Sequence, residues 1–137
     1  PMADLLKTMA ISAAGMKVQG ARLRVIAENI ANADSLAQTP NGTPYRRKVI
    51  IFKNELDRRL GLDTVRVDKI RPDMSTFGKK FEPNHPAADG EGYVLTPNVK
   101  SIVEMMDMKE AQRSYEANVT AIRSSKGMLE AAIEILK

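Results

Sequence analysis

NVKSIVEMMDMKEAQRSYEANVTAIRSSKGMLEAAIEILK, residues 98–137, is the stretch whose reading decides the fold. It holds no proline and a single glycine, Gly127. Met105, Met108, Gln112, Tyr115, Val119, Ile122, Lys126, Leu129, Ile133 and Leu136 follow one another at alternating steps of three and four. That is a heptad seam broken only by Gln112 and Lys126. A helix of this length spans about 60 Å at ~1.5 Å per residue. A single domain of 137 residues has no core that long. The seam therefore predicts a partner of similar length, within the chain or on another chain.

The N-terminal end offers one. From Ala3 to Asn32, the residues Leu6, Met9, Ala13, Met16, Gly20, Leu23, Ala27 and Ile30 repeat the heptad spacing. Ile11, Val18 and Val25 add a further stripe at seven-residue intervals. A helix with more than one apolar stripe is expected to touch more than one neighbour. Gly15 and Gly20 weaken the helix locally and point to close packing.

Between the helices the pattern changes. Asn32–Ser35 reads as a helix exit, and Thr39-Pro40-Asn41-Gly42-Thr43-Pro44 as a turn. Tyr45–Phe52 and Thr64–Ile70 read as strands, the second stopped by Pro72, with a helical turn over Leu56 and Leu60 between them. Phe77–Phe81 and Tyr93–Leu95 are two more short strands. Thr96 as N-cap and Pro97 at the first helical position start the second helix. The expectation is a mainly α fold with a small β-rich insert, the long N- and C-terminal helices pairing as a coiled coil. Its parts are the N-terminal helix of an inner core domain (2–33), the β-rich insert and loops (34–96) and the C-terminal helix of the core domain (97–137).

The composition narrows function. Aromatics make up 4% and tryptophan is absent, so a dense globular core is not expected; eight methionines suit adaptable helix–helix packing. The lack of cysteine excludes thiolate catalysis, disulfides and cysteine-based zinc sites. The one histidine, His85, lies in a proline-flanked turn, where a structural or surface role outweighs a metal site or a triad. Asp89 and Glu91 lack the spacing of a calcium loop and read as a solvated turn. No phosphate-cradling glycine motif is present. No catalytic set, cofactor site or metal site is expected.

No apolar run is long enough for a membrane span, and no basic segment followed by an apolar one reads as a cleaved export signal. Arg46-Arg47-Lys48, with Lys53, Arg58 and Arg59 nearby, is the one candidate nucleic-acid patch. Only Tyr45 and Phe52 are there to stack on bases, and Glu55 and Asp57 dilute the charge. Salt bridges to acidic groups account for the run equally well. Lys109, Glu110, Arg113, Glu116, Arg123, Glu130 and Glu134 fall mostly off the C-terminal seam, as a solvated face or as interchain pairs.

Particular motifs add a resemblance. Ile11-Ser12-Ala13-Ala14-Gly15-Met16, followed by Val25-Ile26-Ala27-Glu28-Asn29-Ile30-Ala31-Asn32-Ala33, resembles the N-terminal signature of the bacterial flagellar basal-body rod and hook family. Its C-terminal signature resembles Gly92-Tyr93-Val94 with Pro97-Asn98-Val99, then Glu104-Met105, then Ser114-Tyr115-Glu116-Ala117-Asn118-Val119. Thr39–Lys48 and Ser124–Leu129 are most similar to the proximal rod members. The family-motif positions are Asn29, Asn32, Tyr45, Arg46, Arg47, Tyr93, Pro97, Asn98, Tyr115, Glu116 and Asn118.

The resemblance implies a structural subunit without catalysis, carried by the flagellar type III export apparatus without a cleaved signal to the periplasmic rod of the basal body. There the terminal helices would build a hollow shaft that transmits torque and encloses the export channel. The implied partners are copies of the chain, other rod proteins, the rod–ring junction protein and membrane-ring components. Nucleic acid and direct membrane insertion are not expected. The expected assembly interface is Leu6, Met9, Met16, Leu23, Ile30, Met105, Met108, Tyr115, Val119, Ile122, Leu129, Ile133 and Leu136. The alternatives are another axial rod or hook subunit and, from a different class, a coiled-coil nucleic-acid-binding protein. Seams too long for their own chain imply helices that order fully only on assembly.

Overall fold

A computed structural model describes residues 2–137. The elements run α1 (Met2–Ala31), β1 (Lys48–Asp57), β2 (Leu62–Pro72), β3 (Gly78–Phe81), β4 (Tyr93–Thr96) and α2 (Ser101–Leu136). The two helices and the small β-rich segment between them match the expected order. The chain divides into two compact units. One holds α1 as far as Leu23, with Ile51–Lys69 and Lys109–Lys137; the other holds Arg24–Ile50 and Ile70–Met108. Each unit takes part of both helices and part of the segment between them.

In the first unit α1 and α2 lie antiparallel. Gly15 meets the side chain of Asn118, Gly20 meets the ring of Tyr115, and Arg22 lies 3.5 Å from Glu110. The partner on α2 moves backward as α1 advances. A Cβ at Gly15 would stand 2.7 Å from Asn118 Nδ2, so the absence of a side chain lets the helices approach. The same unit contains the outer part of the β1–β2 hairpin. Ion pairs Lys53–Asp68 (3.7 Å) and Arg66–Glu55 (3.2 Å) cross its strands. Its turn closes with the Gly61 amide donating to the Asp57 carbonyl at 2.8 Å, Gly61 sitting at φ +66°. That left-handed turn accounts for Leu56 and Leu60, which lie on β1 and in the turn instead of forming a helical turn.

In the second unit β3 and β4 pair antiparallel, Gly78 opposite Thr96 and Phe81 opposite Tyr93. The Phe81 and Tyr93 rings meet edge to face at 5.3 Å. Asp89 Oδ1 accepts the amides of Glu91 (2.9 Å) and Tyr93 (3.0 Å), which makes the acidic segment a self-capped turn. His85 Nδ1 accepts the Ala87 amide at 3.0 Å, a structural role.

Strand β1 runs on beyond the expected Phe52 to Asp57, β2 extends past Thr64–Ile70 at both ends, and two element starts also move. The strand expected from Tyr45 begins at Lys48, because the Tyr45 amide donates to the Ser35 carbonyl and the Arg47 amide to Asn98 Oδ1. Helix α2 begins at Ser101 and not at Pro97. Asn98 is held by the loop after β2, and the first turn closes through the Glu104 amide on the Lys100 carbonyl at 3.0 Å.

The burial of the helices changes the seam most. On α2 the buried line is Glu104, Ala111 and Ser125, with Asn118 and Ala132 half-buried at the same heptad position. Met108, Tyr115, Ile122 and Leu129 are half-buried beside it. Met105, Gln112, Lys126 and Ile133 face outward, so the two interruptions read from the sequence are not seam positions. On α1 the buried residues are Ser12, Val18, Ala21, Val25, Ile26 and Asn29, while Leu6, Ala13 and Ala27 are exposed. Small and polar groups share the buried positions with Val18, Val25 and Ile26, and much of the remaining apolar surface faces out.

Candidate functional site

The family-motif residues Asn29, Tyr45, Arg46, Arg47 and Asn98 converge in the second unit on two buried polar side chains. Asn29, near the end of α1, and Glu104, in the first turn of α2, are each 1% exposed. Asn29 Oδ1 accepts the Lys48 amide (2.9 Å) and the Tyr45 hydroxyl (2.7 Å). Asn29 Nδ2 donates to the Lys48 carbonyl (2.9 Å) and makes a longer contact with Glu104 Oε2 (3.5 Å). Arg47 Nε donates to Glu104 Oε1, and Arg47 Nη1 lies 3.0 Å from Asp73 Oδ2. The Arg47 amide donates to Asn98 Oδ1 at 2.7 Å, and Asn98 Nδ2 donates to the Asp73 carbonyl at 2.9 Å. Four segments that are distant in sequence close around these bonds.

The electrostatics follow the bonds. Burial works against the Arg47 guanidinium, but hydrogen bonds to Glu104 and Asp73 outweigh it and raise its pKa. The Ser75 amide holds the Asp73 carboxyl below its ordinary value; burial opposes it, and the Ser75 side chain and Arg47 assist. Burial, followed by the charges of Glu28 and Glu104, pushes the Tyr45 hydroxyl up, so it remains a donor. The basic run is consumed inside the chain: Arg47 on Glu104 and Asp73, Lys48 on Glu28 at 2.6 Å, and Arg46 over the Phe77 ring at 4.0 Å and on the Asp73 carbonyl. This arrangement fits a structural junction, not a phosphate-binding face.

The remaining motif positions have separate tasks. Asn32 Nδ2 returns to the Glu28 carbonyl at 2.9 Å to end α1. Pro97 is buried, and Tyr93 is half out of the β3–β4 face. Asn118 bonds the Ser114 carbonyl beside Gly15, Tyr115 is half-buried, and Glu116 is exposed. Of the expected interface residues, Met9, Met16, Leu23, Ile30, Met108, Tyr115, Val119, Ile122 and Leu129 are half-buried. Leu6 (49%), Met105 (50%), Ile133 (44%) and Leu136 (77%) are exposed. Asp73 carries as much of the junction as any motif residue, yet the sequence alone did not single it out. Glu104 stood in the C-terminal signature, and its clue was position: it shares a heptad class with Ala111, Asn118, Ser125 and Ala132, all small or polar.

Comparison with known proteins places these features in a family. The profile of the flagellar basal body rod FlgEFG protein C-terminal family matches residues 91–135. The flagellar basal-body rod protein FlgC of Agrobacterium fabrum is 45% identical over 127 residues, covering 93% of this chain and 91% of that protein. The chain belongs to the FlgC family of flagellar basal-body rod proteins. The FlgC proteins of Borreliella burgdorferi (40% identical, 97% of this chain and 98% of that protein) and Bacillus subtilis (38%, 93% and 95%) are similar over nearly their whole lengths. The candidate site of this FlgC-family chain is a folding junction that ties the end of α1 and the first turn of α2 to the segments before β1 and after β2. Among the described residues, no helix is long and apolar enough to cross a membrane.

Proposed function

We propose that the chain is a structural, non-enzymatic subunit of the proximal rod of the bacterial flagellar basal body. Its terminal helices form the inner core domain, over about 2–33 and 97–137, and the segment 34–96 is an insert on that domain. The helices of adjacent copies complete one another's seams as a coiled-coil-like tube, which transmits motor torque and encloses the channel through which later subunits are exported. Its partners are copies of itself, other rod proteins, the rod–ring junction protein and membrane-ring components. The flagellar type III apparatus delivers it to the periplasm.

One observation carries this reading beyond family membership. In the first unit the buried helix residues are Ser12, Val18, Ala21, Ala111 and Ser125, all small or polar but for one valine, whereas Met2, Leu6, Ile11, Met128, Ile133, Ile135 and Leu136 are all more than 40% exposed. An exposed apolar area of this kind marks an interaction surface. Contacts between unlike faces that do not close into a ring build a helical assembly.

The test is complementation. A strain lacking its own proximal rod gene should regain isolated rods and swimming when this chain is expressed with its cognate neighbours. A chain that is secreted, stable and never found in purified basal bodies would overturn the proposal.

A further inference from the structure

We infer that Asn29 and Glu104 form a register lock for the helix pair, and that Arg47 couples this lock to the segments that precede β1 and follow β2. The inference concerns the fold of one chain and is independent of rod assembly.

The need for a lock comes from the seam. Ala111, Asn118, Ser125 and Ala132 are small or polar and share one line of α2, and Asn118 meets α1 at Gly15. A slide of one heptad would set Asn118 against Thr8 or Arg22 in place of Gly15, so the close approach opposes the slide at that one point. A slide also has an attractive alternative. It would bring Glu104 to Arg22, whose guanidinium now sits on the largely exposed Glu110. The native register must therefore offer Glu104 more than a second arginine can.

It does so by burying the carboxylate. Glu104 is the only charged side chain that is fully buried among the described residues. One of its oxygens takes Arg47 and the other faces Asn29. Arg47 and Asn29 are in turn tied to Asp73, Lys48 and Tyr45. Breaking one member leaves a buried charge or amide without its partner, so misregistered states are penalised as a group. A single buried polar position that fixes helix register is the best-attested use of such groups.

The chain has no cysteine, so pairs of introduced cysteines report register without background. G15C/N118C reports the native register, since a Cβ at Gly15 would stand against the Asn118 side chain; G15C/A111C and G15C/S125C report slides of one heptad in either direction. Disulfide yield is measured on the full chain in trimethylamine N-oxide, which favours burial. The native pair should form at least about tenfold more disulfide than either slipped pair, the preference that a ~1.4 kcal/mol gap between registers gives.

N29D sets a second carboxylate against Glu104 and should erase most of this preference. Adding E104Q restores one donor facing one acceptor. N29D/E104Q should therefore recover native cross-linking over N29D alone, or recover helicity if N29D unfolds. If the double variant is no better than N29D, or if N29D keeps the wild-type preference, the lock is refuted.

Discussion

The exposed end of α2 supports a quantitative prediction for I133A/I135A/L136A. The three side chains are 44%, 83% and 77% exposed in the free chain. Full burial of a leucine or isoleucine side chain is worth about 1.5–3 kcal/mol, so scaling by these fractions leaves about 3–6 kcal/mol for a neighbour to collect. Alanine keeps the Cβ methyl, so the triple variant should forfeit about 3 kcal/mol of association free energy per subunit. That weakens each contact on the order of a hundredfold. Fold stability should change little, because these residues are already in water and alanine is a better helix former. The assay has three readouts: circular dichroism of the purified chain, its amount in the secreted fraction, and its amount in purified basal bodies. Helicity and secretion should match wild type while incorporation and swimming collapse. Normal incorporation and swimming would refute the reasoning, because the exposed stripe would then have no neighbour to cover it.

The polar junction and the close helix approach at Gly15 make three further predictions. Glu104→Ala should cost about 2–4 kcal/mol, at or below the cost of breaking a buried pair because Arg47 keeps Asp73 and some solvent. It should move the trimethylamine N-oxide midpoint for helix formation upward, whereas Glu110→Ala, at an exposed pair, should shift the midpoint by no more than ~1 kcal/mol. The depressed Asp73 carboxyl stabilises the fold above its unfolded pKa of about 4 and loses that contribution as pH falls through its lower folded value. Helicity should therefore decline with acid below about pH 4, and Asp73→Asn should flatten that part of the pH profile while lowering stability at neutral pH. Gly15→Ala should destabilise the helix pair despite alanine's higher helix propensity, since its Cβ would stand 2.7 Å from Asn118 Nδ2. Adding Asn118→Ala should return most of that loss, and additive melts would count against close approach at this point.

The sequence exposed the plan and hid its phase. Steps of three and four announced both helices, and Pro40, Gly42, Pro72 and the glycines around residue 90 bracketed the strands. Which stripe faces inward was not legible. Hydrophobicity marks the side that avoids water in the working assembly, and in a single chain that side is only partly the intramolecular one. Leu6 and Met105 therefore stand out in the sequence yet are exposed, while Ser12, Asn29, Glu104 and Ser125 share the buried positions with Val18 and Val25 of the second stripe. Polar residues can do so only where each finds a partner, and partners such as Asp73 and Lys48 lie far away in sequence. The start of α2 was misplaced for a related reason. Thr96-Pro97 has the local chemistry of a helix start, but tertiary bonds to Asn98 hold the chain out of the helix until Ser101.

The central claim is that neighbouring subunits cover the apolar faces this chain leaves open. An image reconstruction of basal bodies containing the chain, at a resolution that shows side chains, tests it most directly. The account predicts that Leu6, Ile133, Ile135 and Leu136 are buried against helices of adjacent subunits, while Asn29, Glu104 and Arg47 keep the contacts they make in the single chain. A rod in which those apolar residues still face solvent, or in which the chain is absent from the rod, would contradict it.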